Sequence, residues 1–514
     1  MLRRLFALLL ALALILPLSA SIAAGTRYAT APPPDWGENA ALAGEHDLLP
    51  EALAGCNFVS RAAFSNVLER LFAGTEVTLP SLSEEDGPVT RGELAEAVTA
   101  ALGYETLSSA LSSPFPDAGG QAALLAAFGL MDGGNDGLFH PDAPAPREQV
   151  ITLLSLLYEK VHSSIDFLHG FYAFSSYSQI AMTAEMDAVS VGWAMMDVGE
   201  DGTPFLNQTA QGGNSWVLPE DPSLATDYFR GNGTACNLSV YAGPSTLTLP
   251  DGTVTDDLHA ILATPEARET AVELLVSAAA GYDGLTIDFE GLRSDLKEPF
   301  TAFMSSLRAA LDPEKTLYVC VQPDDWYDGF DYRALGEICD KVILMAHDYQ
   351  WPSVPESYLG TSNTDTPVTP FPYIYAALRD VTDGATGVAD REKLVLAVSM
   401  AAVALEVDED GILISQTIHS LSPQGLIARL RQSDAEVSYS EAYRNPFLTY
   451  TTEEGRHFIV WYEDERSVLD KVALARMFSI TGLSIWRIGN IPNYPDQGLY
   501  YDVWSAVQTQ RTGR

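Results

Sequence analysis

The sequence predicts an α/β protein, an eight-stranded β/α barrel with an α+β insertion before its last strand, preceded by a small, mainly helical repeat domain. Two observations favour the barrel. From Ser164 onward, eight short apolar runs rich in β-forming residues alternate with helical stretches. Acidic residues close one of these runs, "GLTIDFE", and parallel barrels carry their active sites at such strand ends. A doubly wound open sheet would show the same alternation, but the count of eight and the placed acids favour the barrel.

Composition limits the classes of function. A chain of 514 residues is too long for one ordinary core and suggests two or three domains. The hydrophobic fraction of 47% supports packed globular domains rather than disorder. The formal net charge of −40 argues against nucleic-acid binding, which needs basic surface to displace phosphate counterions.

Residues 1–24 are predicted to be an export signal. Arg3 and Arg4 precede an apolar run that ends at Leu16, and small residues follow Pro17 at a cleavage-like site. The run is too short to cross the hydrocarbon core of a bilayer, so we expect no membrane span after cleavage. An uncleaved anchor is the alternative. The four cysteines of the chain are expected to be buried free thiols rather than disulfide bonds, because domains this large do not need disulfide bonds to be stable.

Residues 26–163 form the predicted repeat domain. Three pieces begin alike, "VSRAAFSNVLERLF", "VTRGELAEAVTAALG" and "APREQVITLLSLLY". Each has a small or helix-breaking residue, then arginine, then an apolar stripe at helical spacing. Self-similar pieces of this kind predict an array of units that bury one face against one another.

The segments "FPDA" and "GLMDGGNDGLFHPDAPAPREQ" closely resemble the S-layer homology repeat, over roughly residues 42–162. The resemblance implies attachment to the cell wall through an anionic secondary cell-wall polymer. It also implies that Arg61, Arg91 and Arg147 grip that polymer, since a guanidinium fork suits a carboxylate. The alternative is that these arginines only cap or brace the starts of helices.

Residues 164–514 are predicted to form the barrel, a length within the range of a TIM barrel with insertions. The eight predicted strands are "FYAFSSYS", "AVSVGWAMM", "CNLSVYA", "GLTIDFE", "TLYVCVQ", "KVILMAHDY", "KLVLAVSMA" and "GLSIWRIG". Residues 402–464, before the last of these, form the predicted insertion. It contains a helix, "QGLIARLRQ", and a hairpin that turns at Glu454 and Gly455.

The segment "GYDGLTIDFEGL" places Asp283, Asp288 and Glu290 within an otherwise apolar run. Because side chains alternate along a strand, Thr286, Asp288 and Glu290 share one face, which would point into the barrel with Glu290 nearest the C-terminal mouth. Carboxylates stacked in a confined site cannot all be ionised, so the pKa of one of them rises. The pattern therefore predicts a proton donor at the rim.

This ladder resembles the DxxDxDxE signature of glycoside hydrolase family 18, and "LMAHDYQW" and "GLSIWRIG" resemble the sixth and eighth strands of that family. The stretch "DYRALGEICDKVILMAHDYQW" looks most like the bacterial spore-cortex-lytic branch. The resemblance implies hydrolysis of β-1,4 bonds next to N-acetylglucosamine in peptidoglycan or a chitin-like glycan. Glu290 would be the general acid, and Asp288 would hold the acetamido N–H. The substrate's own N-acetyl oxygen would be the nucleophile, with retention of configuration and without metal or cofactor.

The same resemblance assigns the remaining site residues. His347 stands where the family has tyrosine, and as a neutral ring it would donate to the acetamido oxygen. Thr286 stands at the family's second aspartate, and its hydroxyl can donate to Asp288. The predicted catalytic residues are Glu290, Asp288, His347 and Asp283, and the predicted substrate-binding residues are Trp486, Asp348, Tyr349, Trp351 and Thr286.

Three functions from different classes fit the sequence. The first is a secreted glycosidase associated with the cell wall or cell surface. The second is a catalytically weak, chitinase-like glycan-binding barrel, since Thr286 and His347 depart from the family pattern. The third is a wall-structural protein that acts through its repeats. The intact Asp288 and Glu290 favour the first over the second, and the third leaves the acidic ladder unexplained.

Overall fold

The computed structural model describes residues 57–73 and 87–511, together with residues 44, 46, 79 and 82. The predicted export signal and Cys56 lie outside these residues. The chain divides into two compact units, residues 1–156 and 157–514. Among the described helices, none is long and apolar enough to cross a membrane.

The N-terminal unit is helical, and helices begin at the three arginines that the repeat pattern marked. Ser60 caps the first of them by accepting from Ala63 N at 3.2 Å. Thr90 caps the second, and Glu93 completes a reciprocal capping box with it. The helices are α1 (Arg61–Leu71), α2 (Arg91–Ala101), α3 (Glu105–Ser109), α4 (Gly120–Ala127) and α5 (Arg147–His162).

The segments that precede α1, α2 and α5 pair with one another in a closed ring. Isolated β-bridges join Phe58 to Pro146, Ser60 to Pro88 and Thr90 to Pro144. Each segment therefore touches both of the others. This threefold arrangement is what an array of three similar units produces when each unit buries its start against its neighbours.

The second unit is a closed barrel of eight parallel strands, as predicted. In the sheet each strand pairs with the next, and pairing of the first strand with the second closes the barrel. One further short strand, Pro204–Asn207, adds to the second strand in antiparallel orientation. The strands of this unit up to the seventh barrel strand are β1 (Phe167–Tyr172), β2 (Ala188–Val198), β3 (Pro204–Asn207), β4 (Ala235–Ala242), β5 (Thr246–Thr248), β6 (Val254–Asp256), β7 (Gly284–Phe289), β8 (Thr316–Val321), β9 (Lys341–Met345) and β10 (Leu394–Ser399). The eighth barrel strand, β16, is Gly482–Trp486.

Helices connect most of the barrel strands. They are α6 (Ser223–Asn232), α7 (Asp257–Leu262), α8 (Pro265–Ala278), α9 (Lys297–Ala310), α10 (Tyr332–Ile338), α11 (Phe371–Val381), α13 (Glu465–Met477) and the C-terminal α14 (Val503–Thr509). The first strand begins and ends earlier than predicted. It stops at Tyr172, and 3₁₀ turns over Phe174–Glu185 take the place of the first connecting helix.

The predicted insertion forms a separate antiparallel sheet between β10 and β16. Its strands are β11 (Ala402–Val407), β12 (Leu413–Leu421), β13 (Glu436–Ser440), β14 (Asn445–Thr451) and β15 (His457–Trp461), in the order β12-β11-β15-β14-β13. Helix α12 (Pro423–Leu430) covers a core that includes Leu448 and Val460. The hairpin between β14 and β15 turns where predicted, with Gly455 N donating to Thr452 O.

Strand β7 has the two-faced pattern that alternation predicts. The Phe289 ring packs on Phe303 of α9, with ring centroids 5.5 Å apart, so this face of the strand meets the outer helices. Thr286 and Asp288, on the other face, are 0% and 2% exposed inside the barrel. The acidic ladder therefore points inward and rises toward the C-terminal end.

Candidate active site

Asp288, which is buried, and Glu290, which is half-buried, form a carboxyl pair at the C-terminal mouth of the barrel. Burial, rather than any single neighbour, is the largest influence on both groups, and it raises the pKa of Asp288 to about 7. Burial and the nearby charges of Asp288 and Asp348 together raise the pKa of Glu290 to about 8, against the lowering effect of His347. Since a low-dielectric site disfavours two negative charges at once, the pair retains one proton near neutral pH.

The hydrogen bonds around Asp288 differ from those the sequence suggested. Cys320, on β8, lies beside Asp288 in the register of the two strands, and its thiol opposes the rise that burial causes in the pKa of Asp288. Asp288 Oδ1 is buried and has no partner among the described residues. The Thr286 hydroxyl is paired with Ser190 Oγ at 2.6 Å. The expected donation from Thr286 to Asp288 is therefore not present, because Thr286 bonds across to β2 instead.

A fully buried polar network lies beneath the acids. His169, on β1, bonds through Nδ1 to Ser484 Oγ and through Nε2 to Ser190 Oγ, both at 2.7 Å. Ser190 continues the network to Thr286. Burial lowers the pKa of His169 to about 3, so its ring is neutral at physiological pH. The network ties β16, β1, β2 and β7 together under the carboxyl pair without adding a charge.

The corner after Glu290 is held in a fixed geometry. Gly291 N donates to Gln322 Oε1 at 2.6 Å, and the Tyr332 hydroxyl donates to Gln322 O at 2.7 Å. Gly291 has φ +82°, and a side chain there would lie 2.9 Å from a ring carbon of Pro244. Glycine is therefore required at position 291. The hydrogen bond to Gln322 fixes the backbone direction of the chain just after Glu290.

His347 and Asp348, which follow β9, form a second charged element of the site. Asp348 has φ +64°, a backbone conformation that aspartate tolerates better than most residues. His347 is 6% exposed, and its Nδ1 lies 2.9 Å from Asp348 Oδ2. Burial alone would raise the pKa of Asp348, but the His347 charge and hydrogen bonds from His347 and Gln350 lower it below its ordinary value.

This geometry corrects the expected role of a neutral His347. An ionised Asp348 can only accept, so Nδ1 carries the proton of the neutral ring and donates to Asp348. Nε2, which has no partner among the described residues, is then an acceptor. His347 can donate from Nε2 to an acetamido oxygen only as an imidazolium.

Aromatic side chains line the mouth beside the carboxyl pair. The Tyr241 ring stacks on Trp216, with centroids 5.0 Å apart and planes within 6°, and Trp216 lies 6.3 Å from Trp486. Trp486 in turn packs on Phe171 at 5.3 Å. Burial and the charges of Glu290 and Asp288 raise the pKa of Tyr241 to about 12, so its hydroxyl stays protonated beside the acids. Half-exposed indole faces of this kind suit the apolar faces of sugar rings.

The other predicted aromatic residues separate into two environments. Tyr349 packs on Trp326, 4.2 Å between centroids, and on Tyr373 at 5.3 Å. Tyr373 is 53% exposed, so this row reaches the surface. Trp351 instead packs on Tyr358 and on the buried cluster that belongs to the insertion. It is therefore not part of the row that contains Trp486.

Asp283 is not near the other acids, and its predicted catalytic role is corrected. It precedes β7 at the N-terminal end, where its carboxylate is exposed and accepts from Cys236 N at 2.8 Å. Seven residues of extended chain separate it from Glu290, a distance of roughly 23 Å at the rise of a strand. At this position Asp283 accepts a hydrogen bond from the backbone at the N-terminal end of the barrel, opposite the mouth.

The three repeat arginines do not share one environment. Arg91 is 5% exposed, and its guanidinium donates to Phe139 O, Asp132 O and Gln149 Oε1, each at 2.7 Å. It braces the fold of the N-terminal unit, as the alternative interpretation of the motif held, so its predicted contact with a polymer is corrected. Arg61 pairs with Glu93 at 2.7 Å, and Arg147 pairs with Glu148 at 3.2 Å, and both are partly exposed.

Sequence reasoning missed Trp216, Tyr241 and Cys320. A signal for Trp216 existed in Gly192, because a glycine inside a strand marks a close approach, and a side chain there would lie 2.6 Å from the Trp216 ring. Tyr241 pairs in register with Asp288 across β4 and β7. The inward face of β4 would have revealed it once the order of the strands was known. Cys236, Cys320 and Cys339 are buried free thiols, as expected.

Comparison with known proteins agrees with this geometry. The sequence profile of "Glycosyl hydrolases family 18" matches residues 252–490. The cortical fragment-lytic enzyme of Bacillus subtilis (strain 168) is 28% identical over 250 residues, which are 46% of this chain and 53% of that protein. The chain spans about half the length of the curated relatives it matches.

Solved structures show the same fold. The spore cortex-lytic enzyme SleL of Bacillus cereus superposes with a TM-score of 0.52 at 17% identity, covering 68% of this chain and 75% of that chain. A chitinase from Chromobacterium violaceum ATCC 12472 superposes with a TM-score of 0.51 at 20% identity, covering 68% of this chain and all of that one (100%). Residues 252–490, which include the acidic ladder and the last five strands of the barrel, therefore resemble glycosyl hydrolases of family 18, as the sequence pattern predicted.

Proposed function

We propose that the chain is an exported, wall-associated glycosidase that hydrolyses β-1,4 bonds next to N-acetylglucosamine in peptidoglycan or a chitin-like glycan. The observation that carries the proposal is the inward-facing carboxyl pair at the barrel mouth, where burial and the Asp288 charge raise the pKa of Glu290. A curated relative is named for lysis of cortical fragments, and this supports a wall glycan as the substrate.

In the proposed reaction, Glu290 donates its proton to the leaving glycosidic oxygen as the bond to the anomeric carbon breaks. The acetamido oxygen of the same sugar attacks that carbon and forms an oxazolinium ion. Asp288 Oδ1, buried without a partner, accepts the acetamido N–H, and the ionised carboxylate balances the positive charge. Glu290 then removes a proton from the water that opens the oxazolinium ring, which gives net retention.

The sugar that bears this acetamido group is proposed to lie over Trp486 and Trp216. Both indoles are half-buried and lie side by side at the mouth, next to the carboxyl pair. Stacking on such faces orients a ring without a charge. The Tyr241 hydroxyl, which stays protonated, is available as a donor at the same place.

The experiment uses the secreted chain with purified peptidoglycan and with chitin oligomers, and identifies the new reducing ends by mass spectrometry. We expect N-acetylglucosamine at the new reducing end, formed first as the β-anomer by proton NMR. Glu290→Gln should bind the same glycan but lose at least 99% of the cleavage, about 3 kcal/mol of transition-state stabilisation. A native chain that binds glycan and never cuts it is the glycan-binding barrel of the alternative hypothesis, and the proposal is then wrong.

Export through residues 1–24 and attachment through residues 26–163 belong to the same proposal. Arg61 and Arg147, whose side chains are 19% and 26% exposed, are the repeat arginines proposed to reach an anionic polymer. The full chain should sediment with native sacculi and stay in solution with sacculi from which the anionic polymer has been extracted. Equal sedimentation with both preparations would show that the anionic polymer does not attach the chain to the wall.

A further inference from the structure

The carboxyl group that must be ionised in the proposed reaction is the more deeply buried of the two. Asp288 is 2% exposed, whereas Glu290, which follows the end of β7, is half-buried. Among the described residues, no cation is within bonding distance of Asp288, and its Oδ1 has no partner. Thr286, the next inward residue below it, bonds to Ser190. Something else must favour the charged form of Asp288.

Cys320 is in position to do so. Ile287 pairs with Val319 between β7 and β8, so Asp288 and Cys320 follow side by side on adjacent strands. Cys320 is 0% exposed and belongs to the cluster that fills the barrel interior. Its thiol is therefore the neighbour of the Asp288 carboxyl group on β8, and it lowers the pKa that burial raises.

We propose that Cys320 is a positioning residue of the active site, whose S–H donates to Asp288, favours its carboxylate form and turns Oδ1 toward the substrate. The proposal rests on the proposed glycosidase function. Burial and the two neighbouring carboxyl groups raise the pKa of Cys320 well above its ordinary value, so the thiol keeps its proton and remains a donor wherever the enzyme works. A donor that cannot ionise adds no third negative charge to the pair.

The other groups that face the pair act differently. Tyr241 stays protonated beside both acids and is available as a donor to the substrate, but it is not among the groups that shift the pKa of Asp288. Asp348 is engaged with His347. His347 acts on Glu290 and not on Asp288 in the balance of charges. The thiol is therefore the group whose loss should change the titration of Asp288.

The test compares Cys320→Ala and Cys320→Ser with Cys339→Ala in the full chain. Cys339 is also a free thiol with 0% exposure, but it caps α10, away from the carboxyl pair, so it controls for the loss of a buried sulfur atom. The measurement is kcat/KM from pH 5 to pH 10 on a soluble N-acetylglucosamine oligomer. We expect Cys320→Ala to move the acid limb upward by about half to one pH unit, a three- to tenfold loss on the acid side. Cys320→Ser, which keeps a donor, should leave the limb in place or lower it.

An infrared measurement separates failure of this inference from failure of the glycosidase proposal. The S–H stretching band of Cys320, isolated as the difference between the native chain and Cys320→Ala, should shift as Asp288 titrates, and the shift should vanish in Asp288→Asn. A band that moves in an inactive chain would support the thiol contact and overturn only the glycosidase. An active chain in which the band stays still, and in which Cys320→Ala keeps the native acid limb, would reduce Cys320 to core packing.

Discussion

The shared proton of the carboxyl pair predicts a narrow, bell-shaped dependence of activity on pH. The proposed active form has Asp288 ionised and Glu290 protonated, so it exists between the two ionisations, at about 7 and about 8. With those values the pair holds one proton in about 60% of molecules at pH 7.5 and in about 1% at pH 5 or pH 10. We therefore expect kcat/KM to fall about 60-fold from pH 7.5 to either extreme.

The signs of the two limbs follow from the residues. Below the acid limb Asp288 is protonated and cannot balance an oxazolinium charge, and above the alkaline limb Glu290 has lost the proton it must donate. The assay measures initial rates on a soluble N-acetylglucosamine oligomer, with the melting temperature followed over the same range. Substrates with a sugar or a dinitrophenyl leaving group distinguish the role of Glu290 from that of Asp288, because a dinitrophenyl group needs little protonation to leave. Glu290→Gln should lose far less activity on the dinitrophenyl substrate.

Two results would refute this reasoning. A folded enzyme whose kcat/KM stays level from pH 8 to pH 10 would show that Glu290 is not an acid of raised pKa. A maximum near pH 5 would mean that burial does not control the pair. His347 also faces Glu290, so the profile of His347→Tyr identifies any part of a limb that belongs to the imidazole ring.

Three further predictions test other parts of the chain. His347→Tyr, which restores a neutral donor, should keep or gain activity. His347→Phe should lose about tenfold in activity. Equal rates for His347→Phe and the native chain would mean that His347 contributes only to packing. Lys471→Met should cost about 3–5 kcal/mol in urea unfolding, because it leaves the fully buried Glu463 carboxylate, now 2.7 Å from Lys471 Nζ, without a cation. Adding Glu463→Gln should recover part of that loss. Arg91→Ala should lower the melting temperature of the N-terminal unit. Arg147→Ala should weaken sedimentation with sacculi and lower the melting temperature less. A larger thermal effect for Arg147→Ala and a larger loss of sedimentation for Arg91→Ala would contradict the assigned roles.

The elements of the barrel could be predicted because each one is a local pattern. Eight apolar runs gave eight strands, and alternation along "GLTIDFE" gave the inward face of β7 before any neighbour was known. The first strand was misplaced because the predicted run starts at Phe171, near the end of the observed strand, and continues into a segment that turns. Pattern alone does not distinguish a strand from 3₁₀ turns of similar composition.

The contacts that tune the site could not be predicted, since they join residues far apart in sequence. Trp216 comes from a loop and reaches Tyr241 and Trp486 only because Gly192 leaves room for its ring. Arg91 matches the same motif position as Arg147, but carbonyl groups 41 and 48 residues away enclose it. Whether a motif arginine binds a ligand or braces the fold depends on such distant partners, and the motif does not contain them.

Thr286 shows how the site tolerates the residue that departs from the family pattern. An aspartate at this fully buried position would lie between Asp288 above and the neutral His169 network below, with no cation to pair with. Burial and the adjacent carboxyl group would hold such an acid protonated, so it would act mainly as a hydroxyl donor. Threonine supplies a hydroxyl without the charge, but that hydroxyl pairs with Ser190 Oγ, while Cys320 lies beside Asp288 on the neighbouring strand. In the proposed reaction, an ionised Asp288 beside a protonated Glu290 is therefore sufficient, and a third acid at position 286 is not required.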